Sequence, residues 1–181
     1  QTPAVSALSA VEGLGAAPGV GRALRRFVLP IAAAILIGLF MVQARGTASM
    51  ARAFGPVTAL WFLVMAGLGV SHMIENPEIL RALSPHYGVL FLIDNGFLGF
   101  VLLGSVFLAV TGAEALYTDM GHFGKAPIRA GWLWFVLPCL TLTYLGQGAM
   151  VLGDRAAAAN PFWAMIPDPL YWPVLVLATL A

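Results

Sequence analysis

Four stretches of this chain contain no Asp, Glu, Lys or Arg over a length that crosses a lipid bilayer: Phe27–Ala44, Ala53–Ile74, Asn95–Ala113 and Ala130–Gly153. Each reaches about 18 residues, the length at which an apolar run reads as a transmembrane helix candidate. They are apolar around most of their circumference, whereas a helix of a soluble domain sets an apolar stripe against a polar face. Composition agrees. The chain is 60% hydrophobic and 9% charged, against about 25% charged for soluble domains. These features define an all-α integral membrane protein.

The pattern of breaks sets expected boundaries. A partial helix covers 1–12 and ends near Glu12, before the helix-breaking Gly13-Leu14-Gly15-Ala16-Ala17-Pro18-Gly19. Full spans are predicted at about 27–43, 54–71, 97–120 and 131–152, with a partial span at 170–181 that Tyr171 and Trp172 anchor at the membrane interface. The region from Glu75 to Asp94 is more polar and is expected to hold a short surface helix. The chain opens on Gln1 without the basic n-region and cleavage site of a signal peptide, and closes inside an apolar run. It is therefore expected to be an internal fragment of a larger polytopic protein, a single membrane domain over 1–181. Lys and Arg number five on one set of alternate loops and four on the other, so the positive-inside rule does not orient it. Cys139 is the only cysteine; its apolar setting points to an inert packed thiol, and no intrachain disulfide can form.

One charged group stands where a bilayer should be. The apolar run Phe97–Val110 is 14 residues, about 21 Å as helix. That is short of the ~30 Å hydrocarbon core, so the span is expected to continue through Thr111, Gly112 and Glu114. A charge at that depth costs about 2.5–3.5 kcal/mol on insertion scales, which makes an intramembrane acid a functional candidate. Glu114 either hydrogen-bonds as a neutral acid to a neighbouring helix, or binds a cation or carries a proton. Burial favours the neutral acid and so brings proton exchange within reach. Thr111, three residues earlier, shares its face. A helix that unwinds at Gly112 would add free carbonyls to the Thr111 hydroxyl, giving oxygen ligands for an alkali cation, as in the discontinuous helices of secondary transporters. The alternative for Thr111 is a bond back to its own helix.

Other polar residues have competing readings. Thr143, Tyr144 and Gln147 are interhelical hydrogen-bonding groups or candidate accessory residues, and Gly146 and Gly148 permit close helix packing. Asp119 is a gate, a second ion position, or a surface partner of Lys125 or Arg129. His72, His86 and His122 lack metal-ligand spacing, so no structural metal is expected. No glycine-rich phosphate loop or nucleophile–base pairing is recognisable, so the chain is read as not an enzyme.

The segment Thr111-Gly112-Ala113-Glu114-Ala115-Leu116-Tyr117-Thr118-Asp119-Met120-Gly121-His122-Phe123-Gly124-Lys125, followed by Pro127-Ile128-Arg129, resembles the signature of the Kup/HAK/KT potassium uptake transporters. Thr2–Leu14 resembles that family's third transmembrane helix, Tyr144–Ala149 its seventh, and Asn160-Pro161-Phe162 the loop that follows. The resemblance implies a multi-span helical bundle of the inverted-repeat, LeuT/APC-like type with a discontinuous helix, of which this chain holds a partial copy. It implies potassium import by proton symport across a bacterial plasma (inner) membrane. The partners are then lipid, potassium and protons, with no cofactor and no nucleic acid, and the full-length form is a candidate homo-oligomer.

Thr2, Ser6, Thr111 and Glu114 correspond to ion-binding positions, with Glu114 as the proton-coupling group. Tyr117, Asp119, Tyr144 and Gln147 are candidate gate or accessory residues. Thr143 stands where the family usually has Asn, and Gln1 where an aliphatic residue is usual. An amino-acid permease of the same superfamily and a non-transporting membrane scaffold are the rival readings. The acid at Glu114 favours a cation over a substrate carboxylate.

Overall fold

The computed structural model of the chain describes residues 13, 15, 27–43, 47–110 and 124–181, and all regular structure among them is helical. Gly13 and Gly15 are helical, past the end predicted near Glu12, and the next helix, α1 (Val28–Gln43), carries Pro30 in its first turn, where a missing N–H leaves no bond unmade. Its 16 residues make about 24 Å of helix, less than a bilayer core. Next comes α2 (Thr47–Glu75), longer at both ends than the 54–71 predicted. Its first turns are rich in Ala, Met and Arg, which favour helix where a loop is expected from the charges alone. At the far end no Gly or Pro intervenes until Asn76-Pro77. Proline bars the preceding residue from the helical region, and Asn76 lies at φ −129, ψ 75.

A 3-10 turn, Pro77–Leu83, leads into α3 (Pro85–Val110). This element is two helical arms, because Gly96 sits at φ 49, ψ −123, outside any helical region. The region predicted to hold a short surface helix thus holds the 3-10 turn and the arm 85–95. The arm beginning at 97 starts where the sequence places the next span. Residues 111–120 of that predicted span lie outside the described residues. Beyond it, α4 (Lys125–Gly131), a π-helical segment Trp132–Val136 and α5 (Leu137–Gly153) run on as one apolar stretch in place of the predicted 131–152. The wider turn has a local cause. Pro138 has no N–H, and its ring would strike the carbonyl one turn back, so the ladder shifts and the Leu137 N–H bonds to the Trp132 carbonyl.

The core is built where α2 crosses α5. Cys139, Thr143, Gly146 and Ala149 form the buried stripe of α5. Gly69 of α2 lies against it, and Met65, Ala66 and Leu68 of α2 are buried as well. A methyl added at Gly69 would run into the Leu142 carbonyl, and one at Gly146 into the Cα of Gly69. Backbone therefore touches backbone, as small residues allow in lipid, where apolar burial gives helices no preference for each other over acyl chains.

A second cluster covers the end of α2. After a 3-10 turn at Arg155–Ala159, α6 (Pro161–Ala164) and a further 3-10 turn at Asp168–Leu170 lead into α7 (Tyr171–Leu180). Trp163, Met165, Ile166, Tyr171, Val174 and Leu175 pack there with Met65 and Leu68. Aromatic rings tie it together: Phe162 meets Trp163 edge-on at 4.9 Å, and Trp163 lies 5.5 Å from Tyr171. Tyr171, predicted to be an interface anchor, is instead a core residue, 3% exposed, whose hydroxyl donates to the Gly13 carbonyl at 2.6 Å. That bond explains the difference, since a buried phenol is stable only with its O–H paired. Trp172 stays exposed.

Candidate functional site

Among the described residues, three stretches are long and apolar enough to cross a membrane: Phe54–Glu75, Pro85–Val106 and Lys125–Gly153. The second is interrupted by the elbow at Gly96. The polar groups of interest are judged against this frame. Thr2, Ser6, Thr111, Glu114, Tyr117 and Asp119 lie outside the described residues. Tyr144 and Gln147, three apart on α5, are brought together on one wall of a groove of about 720 Å³. The opposite wall is the turn after α2, through Glu78, Ile79 and Arg81, and Tyr87 of α3 closes one side.

The groove follows from local sequence. Pro77 ends α2 and turns the chain back, so Ile79 reaches over α5 at Gly148, where a methyl would come within 2.8 Å of its Cδ1. Tyr144 and Gln147 share the lining with charged Glu78 and Arg81, with Tyr87 and with small and aliphatic residues. Glu78 and Arg81 approach to 3.8 Å, an exposed pair in which each charge remains open to solvent.

Thr141 donates to the Leu137 carbonyl at 2.8 Å and Thr143 to the Cys139 carbonyl at 2.8 Å, so both hydroxyls donate within α5. The close packing predicted at Gly146 and Gly148 is present at both.

Sequence reasoning missed His72. Its Nδ1 lies 2.8 Å from the Glu75 carboxylate, and its Nε2 lies 2.9 Å from the carbonyl of Met165, a fully buried residue. The imidazole thus links the end of α2 to the turn ahead of α7. Glu75 three residues on was the available signal for one bond. Nothing in the spacing marks the other, which joins residues far apart in the chain.

The comparisons give the frame for these positions. The family model described as the K+ potassium transporter integral membrane domain matches residues 1–181. The chain is 54% identical over 181 residues to a probable potassium transport system protein Kup 1 of Cupriavidus necator, covering 99% of this chain and 28% of that one. It is likewise 54% identical to a probable potassium transport system protein Kup 2 of a Bradyrhizobium species and to a Kup of Acidiphilium cryptum, with the same coverage. It spans 28% of the length of these curated relatives. No solved structure matches. With a family model matched from the first residue to the last and more than half of its residues shared with these relatives, the chain belongs to the K+ potassium transporter integral membrane domain family.

Proposed function

We propose that this chain is part of a potassium importer that couples uptake to protons in a bacterial plasma membrane. The observation that carries the reading is 54% identity, across nearly the whole chain, to relatives whose names give potassium transport. In this reading the parent transporter has an inverted-repeat, LeuT/APC-like bundle, and its partners are lipid, potassium and protons. Thr2, Ser6, Thr111 and Glu114 supply the ion site. Potassium has no directional chemistry, so selection rests on cavity size and on the number of oxygen ligands. Glu114 exchanges the proton, because a carboxyl group in low dielectric is neutral at small cost and becomes a cation partner when ionised. Tyr117, Asp119, Tyr144 and Gln147 act as accessory groups, and the groove that both Tyr144 and Gln147 line supports this for those two.

The test is growth rescue of a potassium-uptake-deficient bacterial strain by the intact transporter, with rubidium uptake measured in parallel. Rescue at low external potassium, with uptake that rises as the outside is acidified, is the expected result. Membrane-inserted protein that neither rescues nor takes up rubidium refutes the reading. Uptake of an amino acid in its place would identify a permease.

A further inference from the structure

We propose that Gly96 is a hinge at which the apolar arm 97–110 pivots against the arm 85–95, with Gly99 as the contact that limits how far the two fold together. The argument starts from backbone conformation. At φ 49, ψ −123, Gly96 occupies a region that residues with a Cβ avoid. Two apolar helical arms meet at a residue that belongs to neither.

The bend is sharp. In a continuous helix, residues seven apart are separated by about 10 Å along the axis. Here a Cβ built on Gly99 would lie 3.4 Å from the Cα of Leu92 and 3.4 Å from the Cβ of Asn95. The second arm therefore folds back over the last turn of the first, to van der Waals contact with a Cβ at Gly99. The Asn95 side-chain amide donates to the Phe91 carbonyl at 2.9 Å, within the first arm.

Among the described residues, a Cβ at Gly96 would meet nothing within 4 Å. In the same arms, Gly88 and Gly104 also have open space around a Cβ but no positive φ. A methyl at any of the three positions is thus sterically free, and only at Gly96 does it oppose the backbone. A transporter presents its site alternately to the two sides of the membrane by rocking one set of helices against another, and an elbow of this kind supplies such a movement. The inference to that extent rests on the transport reading.

The test places spin labels at Ile93 and Val106, both exposed, in a cysteine-free form of the intact transporter. Distances are measured with and without potassium, beside rubidium uptake. The unmutated backbone should show two distance populations whose ratio changes with potassium. Gly96→Ala should deplete the folded-back population at least about tenfold, the ratio equivalent to 1.4 kcal/mol, and slow uptake. Gly88→Ala and Gly104→Ala should leave distances and uptake unchanged. A single population, the same with and without potassium, overturns the hinge even where uptake is normal, and this holds whether or not Gly96→Ala folds. Two populations that respond to potassium in a protein that takes up no rubidium keep the hinge and refute transport.

Discussion

Gly146 faces Gly69 across the α2–α5 crossing, and Gly146→Ala should destabilise the chain more than any other addition of one methyl to α5. The new Cβ would overlap the Cα of Gly69 and lie 2.7 Å from its carbonyl oxygen and 2.9 Å from its carbonyl carbon. Ordinary carbon contacts are about 3.5–4.0 Å. All three obstacles are main chain, so no side-chain rotation relieves them and the helices must part. A gap of about 0.5–1 Å forfeits a quarter to a half of each dispersion contact along the seam, to which α5 brings buried Thr143 and Ala149.

Overpacking of this kind costs about 2–3 kcal/mol. At about 2–4 °C per kcal/mol for a chain of this size, Tm should fall by about 5–10 °C. Cys139, the only cysteine and 6% exposed on the same face of α5, reports the loss directly. A thiol-reactive fluorogenic dye should label it as the crossing melts in detergent. Gly67→Ala is the matched control, since it lies on α2 with nothing within 4 Å of its added methyl. Alanine is the better helix former by about 1 kcal/mol, so its Tm should hold or rise. Equal melting of Gly146→Ala and the parent chain would refute the backbone-on-backbone contact. An equal fall in both variants would show that α2 tolerates no change, and that the crossing is not the cause.

Three further outcomes are expected. His72→Leu removes both imidazole bonds and leaves the carbonyl of buried Met165 without its donor, a loss of about 1–3 kcal/mol; Glu75→Gln should cost less, because Glu75 is largely exposed, and equal Tm values for His72→Leu and the parent would refute the link. Pro138→Ala restores the missing N–H, so the π segment Trp132–Val136 should revert to α-helix, with a new protected amide at position 138 and changed exchange at the neighbouring amides, and unchanged exchange throughout the rest of that turn would show that proline is not its cause. In the intact transporter, Glu114→Gln should abolish proton-driven potassium accumulation with insertion preserved, while Thr111→Ala should mainly weaken apparent potassium affinity; wild-type pH dependence in Glu114→Gln would make Glu114 a packing residue.

Helix and its apolar character were legible in the charge-free windows, and the break ahead of Phe97 was legible as the edge of an apolar run. The extent of α2 was not, because Arg52 reads as a loop charge although its neighbours favour helix. The π segment was open to inference from Pro138, but a proline signals only that the ladder is disturbed, and packing decides how. Tyr171 was misplaced at the membrane interface because its partner, the Gly13 carbonyl, lies far away in the chain. The Met165 end of His72 was invisible for the same reason. Of the candidate site, the pairing of Tyr144 with Gln147 follows from helical spacing. The wall opposite them depends on the turn at Pro77, which spacing does not orient.

In water, an apolar stripe tells which side of a helix is inside, because leaving it exposed costs about 25 cal/mol per Å². In a bilayer that signal vanishes, since acyl chains solvate Phe97 and Phe100 as well as another helix would. The informative residues are then those that lack bulk. Gly146 and Gly69 mark where two helices meet backbone to backbone, Gly148 marks where the turn after α2 crosses α5, and Gly99 marks where α3 folds onto itself. At Gly146, Gly69 and Gly148 a methyl would collide, and at Gly99 it would sit at contact distance. Gly88, Gly96 and Gly104 meet nothing within 4 Å, and only Gly96 among them has a positive φ. Glycine thus serves two purposes in this chain: at the α2–α5 crossing it lets backbones touch and fixes the pair, whereas at Gly96 it permits a conformation and leaves an arm free to turn.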